Sequence, residues 1–135
     1  MIGIDTNVLL RYVVQDDARQ ASLANQFIET TLNDDEPGWI ASIVLCELVW
    51  VLEDVYAYAR STIAETLERL LEIDRFRVEA PSLAWRALGE YRAGADFSDA
   101  LIGFVNEREG CAYTATFDRG AGKLKQMRVL GRATT

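Results

Sequence analysis

Histidine is absent from this sequence of 135 residues, and cysteine and proline occur only twice each. The absence of histidine excludes Ser-His-Asp triads, Cys-His dyads, histidine general acid–base pairs and nearly every zinc site with histidine ligands. Cys46 and Cys111 cannot form a zinc cluster, and we expect both to be small buried side chains of a protein from a reducing compartment. Chemistry near neutral pH must therefore depend on carboxylates, hydroxyls and a bound metal.

The sequence also lacks a linker and a long apolar run. No Pro-, Gly- or Ser-rich stretch or internal repeat divides it, which predicts a single domain over residues 1–135. Asp5 interrupts the first apolar stretch, so no signal peptide is expected. The run from Trp39 to Leu52 contains Glu47 and is shorter than the about 20 residues that a membrane-spanning helix needs. We therefore expect a soluble, cytoplasmic protein that does not enter a membrane.

Short apolar strands alternate with helices along the chain, which predicts an α/β fold. We expect a three-layer α/β/α sandwich around a central, mainly parallel sheet, with its site beyond the carboxyl ends of the strands. The predicted strands are Met1–Asp5, Trp39–Ala41, Phe76–Glu79, Cys111–Thr116 and Arg128–Leu130. The predicted helices are Thr6–Val14, Asp16–Leu32, Ile43–Asp54 with Ser42 as its N-cap, Arg60–Asp74, Ser82–Ala93, Phe97–Arg108 and a weak helix Asp118–Lys125.

Carboxylates lie at several of these strand and helix ends. Asp5 closes the first strand, Asp118 follows the fourth, and Asp96 and Asp99 open the sixth of the predicted helices. Glu47 differs because all its near neighbours in the sequence are apolar. An ionised carboxylate in apolar surroundings costs several kcal/mol unless it is paired or bound to a cation.

Each acid also has a purely structural explanation. Asp5 could be the N-cap of the helix after it, and for that residue alone this is as good an explanation as function. Asp96 is better explained as an N-cap, with Asp99 as the favourable acid of the first turn. Asp118 alone would be an ordinary loop acid. Glu47 could be a buried ion-pair partner or face solvent, although its helix has little polar surface.

Taken together, the acids favour a shared site. Asp5, Glu47, Asp99 and Asp118 come from separate segments, and three of them lie at element ends on one predicted edge of the sheet. If they converge, like charges a few ångströms apart need compensation, which a divalent cation supplies. Ligands that are all oxygen select Mg²⁺ or Mn²⁺ over zinc.

The order of these acids resembles that of the PIN-domain ribonucleases, and more narrowly of the VapC-type toxins of type II toxin–antitoxin pairs. The opening M-I-G-I-D-T-N is similar to the first motif of the family, with Asp5 at its acidic position and Asn7 fitting its D-x-N form. The segment A-S-I-V-L-C-E-L-V-W-V-L resembles the second, in which a helix after a serine bears the acid, here Glu47.

The two remaining motifs lie in the second half of the chain. The segment A-D-F-S-D-A-L-I resembles the third motif, with Asp99 at the position that contacts metal and Asp96 at a less constant acidic position. The segment T-A-T-F-D-R-G-A resembles the fourth, with Thr116 and Asp118. The resemblance covers essentially the whole chain and no acidic position is lost. Its one departure is a pair of glycines after Asp118, which is expected to loosen that stretch.

The resemblance implies metal-dependent hydrolysis of RNA with Mg²⁺ or Mn²⁺ as the cofactor, giving 5′-phosphate and 3′-hydroxyl products. Asp5 and Asp99 would be the principal metal ligands. Glu47 would bind a second metal, or orient or deprotonate the attacking water, and Asp118 would complete the acidic pocket. Secondary roles fall to Asp96 and to the hydroxyls of Thr6 and Thr116, which could hold waters or carboxylates.

RNA binding must be local, because the chain as a whole is acidic. It has 21 Asp and Glu against 14 Lys and Arg, a net charge of −7, which excludes a wholly basic nucleic-acid-binding protein. Arg11 is one candidate for a phosphate contact, with a solvated side chain as its alternative. The last residues form either a phosphate-contacting flank or a solvated basic tail; they include Arg119, Lys123, Lys125, Arg128 and Arg132.

The resemblance also implies partners, and two other functions compete with it. A VapC-type toxin is expected to be a homodimer held in check by a small antitoxin, whose helix would lie on the apolar helices early in the chain. A catalytically idle PIN-like module that binds RNA or protein is the first alternative, and loss of an acid would favour it. A Mg²⁺-dependent phosphatase or phosphoacceptor domain is the second, but it needs an acid where Asn7 stands.

Overall fold

Helices and short parallel strands alternate along the chain, which confirms the predicted α/β fold class. The computed structural model describes residues 1–131. Their contacts divide the chain into two compact units, the first being Met1–Pro81 and the second beginning at Ser82. The single domain over residues 1–135 remains a prediction, and Arg132 lies outside the described residues.

The first unit contains three strands and four helices. The strands are β1 (Ile2–Gly3), β2 (Gly38–Ile40) and β3 (Phe76–Val78), and the helices are α1 (Thr6–Val14), α2 (Ala18–Gln26), α3 (Ser42–Asp54) and α4 (Arg60–Glu72), with a π-helical turn Phe27–Thr31 after α2. The strands are parallel in the order β1-β2-β3. Their carboxyl ends therefore meet at one edge, and Asp5 follows β1 at that edge.

The core of the first unit is made by apolar helix faces. Leu9 of α1, Leu45 and Leu48 of α3, and Ile63 and Leu67 of α4 are all fully buried. The spacing of three residues between the two leucines of α3, and of four between Ile63 and Leu67 of α4, puts each pair on one face of its helix.

Two helix starts in this unit differ from prediction. Ser42 is the first residue of α3 rather than its N-cap; Ala41 takes the cap position without a side-chain bond, and the N–H of Ser42 donates to Glu79 Oε1 at 3.1 Å. The helix predicted from Asp16 begins at Ala18, because the side chain of Asp17 caps it by accepting from Gln20 N at 2.9 Å.

The second unit follows with two helices and a parallel strand pair. The elements are α5 (Pro81–Arg92), α6 (Phe97–Arg108), β4 (Thr114–Thr116), a 3₁₀ turn Ala121–Lys123 and β5 (Met127–Val129). Strands β4 and β5 are paired so that Ala115 faces Arg128. The buried rings of Tyr91 and Phe97 meet edge-on, with centroids 6.4 Å apart.

The predicted fourth strand and last helix are shorter in the structure. Residues from Cys111 to Tyr113 precede the strand, because the chain leaves α6 through Gly110 at a φ of 95°, a conformation that favours glycine. The weak helix over Asp118–Lys125 is reduced to the 3₁₀ turn. Cys46 is half-buried and Cys111 is exposed, so the prediction that both cysteines are buried was wrong.

None of the helices within the described part of the chain combines the length and the apolar character that crossing a membrane requires.

Candidate active site

Asp5 lies where β1 turns into α1. It is the N-cap of α1, and its Oδ1 accepts a hydrogen bond from the N–H of Thr6 at 2.8 Å. The structural explanation for this acid therefore holds, but it uses one lone pair of an exposed carboxylate. The other lone pairs of the Asp5 carboxylate oxygens can therefore bind a ligand.

Thr6 connects Asp5 to Glu47. Its side chain is buried, and its hydroxyl donates to Glu47 Oε1 at 2.8 Å across 41 positions of sequence. One residue thus bonds the first acid through its N–H and the second acid through its hydroxyl. The secondary role expected for Thr6, holding a carboxylate, agrees with this contact.

Glu47 is exposed, so of the two structural alternatives for this acid the structure shows the one that faces solvent. It shares the outward stripe of α3 with Ile43 and Trp50, which are 67% and 59% exposed. The spacing of four and three residues puts the three side chains on one helix face. Glu47 therefore escapes the desolvation cost that its apolar sequence neighbours suggested.

Asp96 and Asp99 open α6 in the second unit. Asp96 is the N-cap, and its Oδ1 accepts from the N–H of Asp99 at 2.9 Å, as its structural explanation predicted. Asp99 is half-buried in the first turn. The helix N-terminus favours a negative charge at both positions.

Asp118 is held by its neighbours in the loop after β4. Its N–H donates to Thr116 Oγ1 at 3.0 Å, and its Oδ1 accepts from the N–H of Gly120 at 2.8 Å. A Cβ at position 120 would lie 3.2 Å from that same Oδ1. The glycine therefore fits against the carboxylate and orients it, in contrast to the expected loosening.

The three acids of the second unit interact with one another. The pKa of Asp99 is raised, first because burial penalises its charge, then because the charges of Asp96 and Asp118 repel it, and also because its carboxyl is hydrogen-bonded to that of Asp118. Two carboxyls from separate motifs thus share a contact, as the idea of a common acidic site requires.

The donors suit a hard divalent cation by their chemistry. Among residues 1–131, no group of three or more His, Cys, Asp and Glu side chains is arranged as a ready metal site. The carboxylates and hydroxyls nevertheless offer only oxygen atoms, the ligands that Mg²⁺ and Mn²⁺ prefer. Burial first, and then repulsion from Asp96 and Asp118, raise the pKa of Asp99, and a bound cation would relieve the repulsion.

The basic candidates differ in their surroundings. Arg11 is engaged locally: its guanidinium contacts Asp16 Oδ1 at 2.8 Å and Gln20 Oε1 at 2.7 Å, and it lines a mainly apolar cavity of about 370 Å³ beside α1 and α2. This pairing favours a structural role for Arg11. The bases that follow Asp118 are exposed in the described residues; they are Arg119, Lys123, Lys125 and Arg128.

Comparison with known proteins supplies the family. The PIN domain family model matches residues 2–127, a span that includes every candidate acid. The chain belongs to the PIN domain family. It is also 28% identical over 122 residues to the VapC ribonuclease of Aquifex aeolicus (strain VF5), with 90% of each chain covered. The predicted resemblance to PIN-domain proteins of the VapC type is therefore confirmed, and both similarities support a nuclease.

Two exposed aromatic residues of this PIN domain were given no role from the sequence. Tyr113 precedes β4 and Phe117 follows it, and they are 42% and 82% exposed. The alternating Y-T-A-T-F pattern beside a run of bases is the signal that could have found them.

Proposed function

We propose that this PIN domain is a Mg²⁺- or Mn²⁺-dependent endoribonuclease and the toxin of a type II toxin–antitoxin pair. The contact between the carboxyls of Asp99 and Asp118 carries the proposal, because these acids come from different motifs and a purely capping role would not bring them together. All four motif acids are present, whereas the idle binding module would be favoured by the loss of one.

The four acids have distinct proposed tasks. Asp5 and Asp99 are the principal metal ligands, Glu47 binds a second metal or orients the attacking water, and Asp118 completes the acidic set. When held by these residues, a divalent cation would supply a water of lowered pKa and would offset charge on the phosphate oxygens. Thr6 supports this arrangement by fixing one oxygen of Glu47, which leaves the other free.

The second unit supplies the supporting contacts for Asp99 and Asp118. Asp96 orients the first turn of α6 by accepting from the N–H of Asp99, and Thr116 orients the loop by accepting from the N–H of Asp118. With no histidine to act as an acid–base pair, a water is the nucleophile and the expected products carry 5′-phosphate and 3′-hydroxyl ends.

Cleavage of a labelled single-stranded RNA tests the proposal. The wild type is expected to cut with Mg²⁺ or Mn²⁺ and not with EDTA, and Asp5→Asn and Asp99→Asn are each expected to lose at least 100-fold in rate. Asp74→Asn, which removes an exposed acid outside the four motifs, is the matched control and should keep wild-type activity. Equal cleavage by Asp99→Asn and the wild type would refute the proposal.

The proposed partners are an antitoxin and a second copy of the chain. The apolar cavity beside α1 and α2, with Leu23 57% exposed at its lining, supports binding of an antitoxin helix. The exposed side chains Ile43, Trp50 and Val55 support self-association. Co-purification with the product of an adjoining short reading frame tests the first, and sedimentation equilibrium tests the second. A cytoplasmic location remains a prediction from the sequence.

A further inference from the structure

Strands β4 and β5 expose one face that carries two aromatic rings and an arginine. Tyr113 before β4, Ala115 within it and Phe117 after it are exposed while the residues between them are half-buried, an alternation that favours one side of this segment for the three side chains. Ala115 pairs directly with Arg128, which puts Arg128 on the same side. We call Tyr113, Ala115, Phe117 and Arg128 the aromatic face.

The Phe117 ring is open to solvent, and the Tyr113 ring is covered on one face by the guanidinium of Arg128. Phe117 is 82% exposed and Tyr113 is 42% exposed, and the small Ala115 between them leaves the face open. The guanidinium carbon of Arg128 lies 3.8 Å from the centre of the Tyr113 ring. Exposed aromatic rings and arginine planes are the surfaces on which unpaired RNA bases stack.

The charge around this face complements a phosphate backbone. Within residues 117–131, Asp118 is the single acidic residue. Four basic side chains are exposed there, which are Arg119, Lys123, Lys125 and Arg128. This segment is therefore positive in a chain whose net charge is −7. A protein partner that covered the rings would need acidic groups at the same place, whereas RNA brings rings and negative charge together.

The position of Phe117 connects the face to the acids. Its ring follows β4 directly, and the next residue is Asp118, whose carboxyl contacts Asp99. A base stacked on Phe117 would bring its own phosphodiester next to these carboxylates. Tyr113 lies four residues away along the strand, roughly 13 Å, which leaves room for a second base.

We propose that the aromatic face is a binding platform for single-stranded RNA, in which Phe117 stacks a base beside the bond to be cut, Tyr113 stacks a second base and Arg128 contacts a phosphate. This inference rests on the proposed ribonuclease function and adds the residues that position the RNA. Stacking tolerates any base, so the platform selects single strands over duplexes rather than one sequence.

Binding of a fluorescent oligouridylate tests the platform. The protein carries Asp99→Asn in every sample so that the RNA stays intact, and anisotropy gives Kd. Phe117→Ala is expected to raise Kd by roughly 5- to 160-fold, the range that loss of one stacked base produces, while Phe117→Trp stays within about twofold. Trp85→Ala, which removes an aromatic side chain of similar exposure to Tyr113 outside the face, is expected to leave Kd unchanged.

Two further measurements separate stacking from damage to the acids. In active protein, Tyr113→Ala is expected to raise KM severalfold and to leave kcat unchanged, because Tyr113 and Asp118 lie beyond opposite ends of β4. Arg128→Gln is expected to reduce the slope of log Kd against log salt by about one. An unchanged slope would remove the phosphate contact from the proposal.

The outcomes also separate this inference from the function on which it rests. If the wild type cuts RNA and Phe117→Ala binds the oligouridylate as tightly as the control does, the platform is refuted and the ribonuclease stands. If the wild type neither binds nor cuts RNA, the proposed function is refuted, and the platform is refuted with it. If Phe117→Ala changes the sedimentation mass and not Kd, the face is a protein interface and the RNA platform is refuted.

Discussion

The hydrogen bond between Thr6 and Glu47 allows a prediction about both stability and activity. Thr6→Val replaces the hydroxyl by a methyl group of nearly the same size, so the buried space at Thr6 remains filled. The lost bond joins a buried donor to a carboxylate at 2.8 Å, and bonds to charged groups contribute about 1.5–3 kcal/mol. Because Glu47 is exposed and regains water, we expect a loss below this range, about 1 kcal/mol.

Thermal unfolding and RNA cleavage measure the two consequences. A loss of about 1 kcal/mol lowers the Tm of a chain of this length by roughly 4 °C. Loss of a contact that orients a metal-site carboxylate typically costs about 10- to 100-fold in activity. We expect kcat for RNA cleavage to fall at least 10-fold with KM unchanged, because Thr6 acts through Glu47 and does not bind the substrate.

Thr6→Ser is the matched control, since it keeps the hydroxyl and loses only the methyl group. It should retain kcat within about threefold even if its Tm falls. A double-mutant cycle with Glu47→Gln should show that Thr6→Val has little further effect on kcat once the carboxylate is gone. Equal kcat values for Thr6→Val and Thr6→Ser would show that this hydrogen bond does not position Glu47 for catalysis.

Three further perturbations test other contacts. Because the pKa of Asp99 is raised in the fold, its ionisation opposes folding; Asp99→Asn should raise Tm at pH 7 in EDTA, and the difference should vanish below the ordinary value of 3.8. Gly120→Ala should slow cleavage severalfold with little change in Tm, since the new Cβ presses on Asp118 Oδ1. The Tyr56 hydroxyl lowers the pKa of Asp16, so Tyr56→Phe should weaken resistance to urea at pH 7, and this deficit should disappear as pH falls through the lowered pKa.

The helices were largely predictable from the sequence because their signals are local. Thr6–Val14 and Phe97–Arg108 have the predicted bounds, and each follows an aspartate that caps it. The helical spacing of apolar residues and the polar N-cap both lie within one or two turns. A single sequence therefore contains the information that sets the bounds of these helices.

The rotation of α3 was not predictable in the same way. Its apolar residues surround Glu47 in the sequence. In the structure, however, Ile43 and Trp50 are exposed, and Glu47 lies on the same exposed face of the helix. A helix that exposes apolar side chains has no clear polar stripe to mark its outer face. The phase of such a helix depends on tertiary packing, which periodicity does not report.

The contacts among the acids depend on the fold and could only be anticipated in outline. Motif order suggested that Asp99 and Asp118 belong to one site, and their hydrogen bond agrees with this. The bond from Thr6 to Glu47 spans 41 positions, and the fit of Gly120 against Asp118 depends on loop geometry. Spacing alone could not decide which donor each carboxylate takes.

The first residue of α3 forms a hydrogen bond with a residue that lies 37 positions later in the chain. The N–H of Ser42 is satisfied by Glu79, which lies beyond the last strand of the first unit. The N–H of Ser42 therefore has this partner only in a chain that extends to residue 79. A truncated chain that ends before β3 would contain the motif with Glu47 but would lack the hydrogen bond from Ser42 to Glu79.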